Sequence, residues 1–169
     1  MRGLLDRAYD AAAYLAAACL IGLLAMILLS IVSRQMHFFV PGTDAYAGYL
    51  MAAAGFLALA HTLKRGEHIR VTLLLARTRG AWRRGLELWA LGLTALLAVA
   101  FAWFSLRLVW QSYAFNDIST GNDATPLWIP QLAMGVGACL FAIALIDEFV
   151  AELLGRRTSA APANALHNE

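Results

Sequence analysis

The sequence predicts an all-α integral membrane protein with four transmembrane helices, and three observations support this fold class. First, 61% of the 169 residues are hydrophobic and only 14% are charged, whereas soluble domains average about 45–50% apolar and about 25% charged residues. Second, four uncharged stretches are each long enough to cross roughly 30 Å of hydrocarbon. Third, most basic residues cluster between the second and third stretches. A soluble fold of this size could not bury so much apolar surface.

Residues 1–155 are predicted to form a single membrane domain. Its four spans cover about residues 11–32, 45–63, 86–109 and 127–149. Arg2 and Arg7 precede the first span, as basic residues precede the apolar core of a signal peptide. However, this span is longer than a signal sequence and its largest aliphatic side chains come last. We therefore expect a retained helix. Residues 156–169 are polar, contain Pro162 and are expected to form a disordered cytoplasmic tail.

Local sequence signals mark the boundaries of the second and fourth spans. Pro41 and Gly42 favour a tight turn before the second span. Asp44 is then well placed to cap the second helix by accepting a hydrogen bond from a backbone N–H. Glycine and alanine in this span permit close helix–helix approach, although alanine is common throughout the chain. Pro126 and Pro130 open the fourth span, where proline is tolerated in a first turn.

Residues 64–84 form the most strongly charged segment. It holds seven of the thirteen basic residues, namely Lys64, Arg65, Arg70, Arg77, Arg79, Arg83 and Arg84. Arg70, Arg77 and Arg84 recur every seven residues and therefore share one helical face, opposite an apolar face. The pattern predicts a short amphipathic helix in the membrane interface, with these arginines directed toward lipid phosphates. A plain cytoplasmic loop ending in snorkelling arginines is the alternative.

The distribution of basic residues predicts the orientation of the chain. The two ends of the chain hold two basic residues each and residues 64–84 hold seven, whereas the two opposite connections hold only Arg34 and Arg107. Because positively charged loops remain in the cytoplasm, both termini and the basic segment are predicted to be cytoplasmic. Trp82 and Trp89 mark the inner interface of the third span, as aromatic belts do in membrane proteins.

No catalytic, metal or cofactor site is predicted. A bis-histidine haem requires two imidazoles at one depth on facing helices. His37 lies beyond the outer end of the first span and His61 at the cytoplasmic end of the second, so these two cannot meet. A proton-coupled exporter requires an ionisable residue near mid-membrane, and the four spans contain none there. Cys19 and Cys139 lie in apolar runs and are expected to be small buried hydrophobes. The net charge is only +2, which argues against nucleic acid as a partner.

The remaining charged residues are candidates for contacts that fasten the helices. They are Arg34, Asp44, Arg107, Asp117, Asp123, Asp147 and Glu148. The outer arginines could pair with the outer aspartates, and the inner acids face the basic segment. Solvated pairs of this kind contribute about 0–1 kcal/mol. We expect contacts within this chain or with lipid, and contacts with another subunit are the alternative.

Several short motifs follow one another over roughly residues 5–155. They are Arg34, Gly55, the element Gly66, His68, Ile69 and Val71 that opens the basic segment, Pro126 and Pro130 before the fourth span, and Gly135 or Gly137 inside it. In this order they resemble the small permease subunit (DctQ-like) of tripartite ATP-independent periplasmic (TRAP) transporters. The Gly-x-His-Ile-x-Val element is the most specific part. The family often has an acidic residue after Val71, where this chain has Thr72.

The resemblance implies a four-helix, non-catalytic subunit without a cofactor, in a bacterial or archaeal inner membrane. Its partners would be membrane lipids, a large multi-spanning subunit that carries the substrate and sodium sites, and a periplasmic solute-binding protein that delivers an organic-acid-like solute. The small subunit would brace the large one and help dock the binding protein near Asp117 and Asp123. The alternative function is a four-helix membrane anchor of a peripheral redox or signalling enzyme.

Overall fold

The computed structural model describes residues 2–38, 40–64, 81–121 and 123–154. Four helices account for most of them: α1 (Arg2–Gln35), α2 (Thr43–Lys64), α3 (Ala81–Ala114) and α4 (Trp128–Leu153). All four are long and apolar enough to cross a membrane, and the described residues contain no named strand. The predicted all-α class with four membrane-spanning helices is therefore confirmed. The predicted interfacial segment, residues 64–84, lies mostly outside the described part of the chain, since residues 65–80 are not described. Lys64 is the last residue of α2, and residues 81–84 begin α3.

The two longest helices extend well beyond the hydrocarbon thickness. Both α1 and α3 contain 34 residues, which corresponds to about 51 Å at 1.5 Å per residue. The hydrocarbon core of a bilayer is about 30 Å thick, so these helices carry polar turns outside it. The shorter helices α2 and α4 contain 22 and 26 residues. The ends of α1 and α3 therefore provide polar surface next to the membrane.

The four helices are packed as two pairs joined through their inner members. α1 packs against α2, α3 packs against α4, and the two pairs meet where α2 contacts α4. Gly137 permits this central contact, because an added Cβ would lie 2.5 Å from the carbonyl oxygen of Phe56. By contrast, an added Cβ at Gly48 or Gly55 of α2 would meet no atom within 4 Å. The close approach expected of α2 therefore depends on a glycine of its neighbour.

The buried core consists mainly of alanine. Its largest cluster draws on all four helices and contains Tyr9, Ala60, Leu63, Ala95, Ala98, Ala102, Ala138, Ala142, Ala144 and Leu145. Small side chains allow the helix backbones to approach closely, which favours packing where lipid supplies no hydrophobic driving force. Most of the large apolar side chains consequently lie on the outside of the bundle.

Exposure differs most between α1 and α4, while α2 and α3 are buried to the same extent. Only 6% of the most apolar window of α1 is buried, against 33% for α4. Ile21 on α1 and Trp103 and Trp110 on α3 are each more than two-thirds exposed. Such faces require lipid or a membrane partner as their solvent. The outer faces of α1 and α3 are thus available for contacts with lipid or with another protein.

Candidate functional site

Polar contacts gather at the two ends of the bundle. We call one the hairpin end, formed by the α1–α2 turn (residues 36–42) and the α3–α4 loop (residues 115–127). We call the other the Lys64 end, formed by the C-terminal parts of α2 and α4 with the N-terminal part of α1. The two ends lie on opposite sides of the apolar belt because successive helices run in opposite directions.

At the hairpin end, three side chains form a hydrogen-bonded clasp between α2 and the α3–α4 loop. The hydroxyl of Tyr49 lies 3.0 Å from Ser119 Oγ and 3.1 Å from Asp123 Oδ2. Ser119 Oγ also donates to Asp123 Oδ1 over 2.8 Å. Two further hydroxyls, Thr125 Oγ1 and Tyr46 Oη, lie 3.1 Å apart. The clasp thus fixes the α3–α4 loop to α2, the inner helix of the other pair.

Hydrogen bonding keeps the carboxylate of Asp123 ionised. The hydroxyl of Thr125 contributes most, followed by Ser119 and Tyr49, and together they lower the pKa of Asp123 to about 2 although desolvation acts in the opposite direction. Donors that bind the charged form of an acid stabilise it relative to the neutral form. The clasp therefore carries a fixed negative charge at every physiological pH.

The backbone brings the two connections of the hairpin end into contact. Gly42 adopts φ +81°, and an added Cβ there would lie 2.9 Å from Asp123 Cβ. The α3–α4 loop closes on itself, with Ser119 N–H donating to the Thr125 carbonyl over 2.8 Å and an isolated bridge between Ile118 and Pro126. Glycine is required at position 42 because a side chain would be both strained and obstructed.

Asp44 does not act as the predicted cap. α2 begins at Thr43, two residues before the predicted start, because the left-handed Gly42 already ends the turn. Tyr46 N–H donates to the Gly42 carbonyl over 3.0 Å. Asp44 lies in the first helical turn, where a carboxylate favours the positive end of the helix dipole. Its Oδ1 accepts a hydrogen bond from Ser30 Oγ of α1 over 3.3 Å.

The outer ion pairs considered for Arg34 and Arg107 are not formed. Within the described residues, neither arginine lies within salt-bridge distance of Asp44, Asp117 or Asp123. Asp123 is instead occupied by hydroxyl groups, whereas Asp117, Arg34 and Arg107 are exposed. The hairpin end therefore presents separate positive and negative groups on its surface.

At the Lys64 end, charged side chains connect three helices. Lys64 of α2 forms an ion pair with Asp147 of α4, and both side chains are about three-quarters buried. The Lys64 ammonium also lies 5.7 Å from the centroid of the Tyr9 ring on α1, a distance at which cation–π attraction operates. His61 Nδ1 lies 3.4 Å from Asp10 Oδ1. Tyr9 and Asp10 are participants that the sequence analysis did not single out.

The remaining predicted residues occupy varied positions. Glu148 follows Asp147 on α4 and is partly exposed. Arg84 Nη2 donates to the Leu153 carbonyl over 3.4 Å, so this arginine reaches an orphan carbonyl at the end of α4. Trp82 and Trp89 are 80% and 69% exposed. Pro126 precedes α4 and Pro130 lies in its first turn. Arg70, Arg77, Gly66, His68, Ile69 and Val71 lie outside the described residues.

The described contacts at both ends fasten segments of the chain to one another. Within residues 2–38, 40–64, 81–121 and 123–154, no group of three or more His, Cys, Asp or Glu side chains is arranged to hold a metal ion. Each end instead joins side chains that are distant in sequence, from different helices. The result is a four-helix unit whose two ends are joined by polar contacts and whose α1 and α3 faces expose large apolar side chains.

Comparison with known proteins agrees with this architecture. The family model for the DctQ component of tripartite ATP-independent periplasmic transporters matches residues 23–155, which includes the last third of α1 and all of α2, α3 and α4. None of the curated proteins compared with the chain matches it. Because the matched region covers well over half of the sequence, the chain belongs to the DctQ family, the small membrane subunit of TRAP transporters.

Proposed function

We propose that this chain is the non-catalytic bracing subunit of a sodium-coupled secondary transporter in the inner membrane of a bacterium or archaeon. Its large multi-spanning partner would carry the sodium and substrate sites, and the substrate would be an organic-acid-like solute. The family supports association with a large permease and a binding protein in general. One observation supports the bracing role. Polar contacts hold the bundle together at both ends, while α1 and α3 expose large apolar side chains that another membrane subunit could cover.

The exposed flank of α3 supports a protein partner. Trp103, Arg107 and Trp110 are spaced at i, i+4 and i+7 and therefore lie on one side of the helix, and all three are exposed. Tryptophan and arginine are the residue types that most often dominate binding energy at protein interfaces. A membrane subunit with an acidic or carbonyl-rich groove would satisfy Arg107 and cover both indoles.

Co-purification tests the bracing role. A tagged chain extracted in mild detergent is expected to bring down one large multi-pass membrane protein in a fixed ratio. Trp103→Ala combined with Trp110→Ala should reduce that yield, whereas the matched control Trp82→Ala, which removes an exposed indole from the other end of α3, should reduce it less. Purification alone, or with a soluble dehydrogenase, would instead support an enzyme-anchoring role.

We further propose that the hairpin end forms part of the docking surface for the periplasmic binding protein. The support is its polar loop, in which Asp117 is exposed while Asp123 is engaged in the clasp. Asp117→Lys should then weaken binding of the solute-loaded binding protein to the reconstituted complex without changing subunit assembly. Asp6→Lys, which reverses an exposed carboxylate of α1 at the Lys64 end, is the matched charge control. Equal affinities for Asp117→Lys and wild-type complexes would count against this docking role.

A further inference from the structure

A groove opens between α1 and α2 at the hairpin end. Its volume is about 300 Å³, which is at the lower limit of about 300–1,000 Å³ for small-molecule sites. The apolar wall is formed by Met26, Ile27 and Ile31, and the polar rim includes Ser30, Arg34 and Asp44. The apolar wall lies toward the middle of α1, and the rim lies where the apolar run of α1 ends. The groove therefore runs from the membrane interface into the hydrocarbon region.

The rim carries one cation and one anion that do not neutralise each other. Arg34 and Asp44 both line the groove, but no ion pair joins them within the described residues. The carboxylate of Asp44 accepts from the Ser30 hydroxyl through Oδ1, which leaves further acceptor positions on both oxygens. Opposite charges on one rim select a ligand that carries both charges itself.

We propose that this groove binds a phospholipid whose headgroup contains a phosphate and a primary ammonium, as in phosphatidylethanolamine. The planar guanidinium of Arg34 matches phosphate oxygens with paired N–H donors. The lipid ammonium donates N–H bonds to Asp44, and one acyl chain follows Met26 and Ile27 along α1. This inference does not depend on the transporter function.

The shape and the charges both favour this occupant over a protein helix. A helix with its side chains is about 10–12 Å wide, whereas a groove of about 300 Å³ admits only a headgroup and the first part of a flexible chain. A choline headgroup has no N–H to donate to Asp44, and an anionic glycerol headgroup offers it no positive charge. A comparison of binding by lipids with ethanolamine, choline and glycerol headgroups therefore tests the proposal.

Native mass spectrometry of the full chain in detergent, titrated with each lipid, tests the preference. Phosphatidylethanolamine should bind roughly three- to fivefold more tightly than phosphatidylcholine or phosphatidylglycerol, since an exposed ion pair provides a factor of this size. Asp44→Asn should remove the preference while leaving weak phosphate-dependent binding. Arg34→Gln should weaken all three lipids. Equal binding of the three lipids by the wild-type chain would overturn the proposal.

Two control variants separate the rim charges from general effects. Arg107→Gln removes another exposed arginine of the same outer region, on α3 rather than at the groove, and should leave the preference unchanged. Ser30→Ala removes the hydroxyl that binds Asp44 but keeps both charges, so the preference should persist. If Arg107→Gln weakened the binding of all three lipids as much as Arg34→Gln, or abolished the preference as Asp44→Asn should, the groove would not be the site. Helical content from circular dichroism identifies any variant that fails to fold, and for such a variant the charge-removing Arg34→Met or Asp44→Ser takes its place.

Photocrosslinking in the native membrane identifies the occupant of the assembled groove. A photoreactive amino acid in place of Ile27 should yield a mass increase of one ethanolamine phospholipid. The same substitution at Leu96, an exposed position on α3, should yield no preference for one lipid class. Crosslinking of the Ile27 position to a second polypeptide would show that a protein covers the groove and would refute the lipid site.

Discussion

The hairpin end and the Lys64 end join the same helices by different chemistry. At the hairpin end, short neutral hydroxyl groups surround a single carboxylate, and the backbone of two connections closes the gap. At the Lys64 end, charged side chains reach from one helix to another, from Lys64 to Asp147 and from His61 to Asp10. A loop can fold against a helix and bring short side chains into contact with it. Packed helices keep their backbones further apart, so longer side chains are needed to reach from one helix to the next. The comparison teaches that short hydroxyl side chains suffice where a loop contacts a helix, whereas contacts between helices use longer charged side chains.

A change at the contact between α2 and α4 should have the largest effect on stability, because this contact joins the two helix pairs. Gly137→Ala should lower the stability of the bundle by about 3 kcal/mol, the upper part of the usual range for overpacking, since the new Cβ would lie 2.5 Å from a backbone oxygen. Gly55→Ala is the matched control and should be neutral or slightly stabilising, since its Cβ would meet no atom within 4 Å. Loss of helicity in graded denaturing detergent measures both variants, and equal losses would contradict the packing described here.

The ion pair at the Lys64 end should come next in size. Asp147→Ala leaves the three-quarters-buried ammonium of Lys64 without its partner, which should cost about 1–3 kcal/mol, less than for a fully buried pair. Lys64→Met combined with Asp147→Leu should recover most of that loss, because no charge then remains buried. A double variant as unstable as Asp147→Ala in the same unfolding assay would mean that the carboxylate has another role.

The clasp at the hairpin end should contribute less. Tyr49→Phe removes a hydroxyl that lies 3.0 Å from Ser119 Oγ and 3.1 Å from Asp123 Oδ2, and a neutral hydrogen bond contributes about 0.5–1.5 kcal/mol. Protease cleavage of the α3–α4 loop should accelerate, while cleavage near the Lys64 end should not change. Tyr113→Phe, which removes an exposed hydroxyl near the same loop, is the control. Uniform acceleration at both ends would show that the clasp acts globally.

The smallest effect is a pH dependence confined to strong acid. The pKa of Asp123 is about 2 in the folded chain and 3.8 in its ordinary state. A depressed pKa contributes stability above the ordinary value, and this contribution is lost as the pH falls toward the folded value. The stability difference between wild type and Asp123→Asn should therefore be constant from pH 8 to about pH 5 and shrink between about pH 4 and 2. A difference that already changes between pH 8 and 6 would contradict the assignment.

Several features of the fold follow from the sequence through local physics. Apolar runs of sufficient length predict the four spans. In hydrocarbon the backbone N–H and C=O groups must pair with each other, and a helix pairs them within a single segment. Pro41 and Gly42 mark a turn, and Gly42 indeed takes a positive φ. The predicted cap, Asp44, instead lies inside α2, which begins at Thr43, because the turn already ends at the left-handed Gly42.

The partners of the charged residues could not be predicted in the same way. Asp147 meets Lys64 across 83 positions, and Asp123 meets Tyr49 across 74. A rotation of one helix about its axis would change these partners without altering the hydrophobic pattern. The same reason explains why Asp10 and Tyr9 were not singled out: they lie at the predicted edge of the first span, and only packing brings them to His61 and Lys64.

The sequence by itself determined the number of membrane-spanning helices, the turn at Gly42 and the family of the chain, because these depend on residues that are close together in the chain. The tertiary structure decided that Gly137 rather than Gly55 permits the central contact, that Asp123 is engaged in hydrogen bonds while Asp117 is exposed, and that Arg34 and Asp44 line one groove. Those outcomes depend on how each helix is rotated and how closely it approaches its neighbours. Small side chains permit many such arrangements, and the packed backbone selects one.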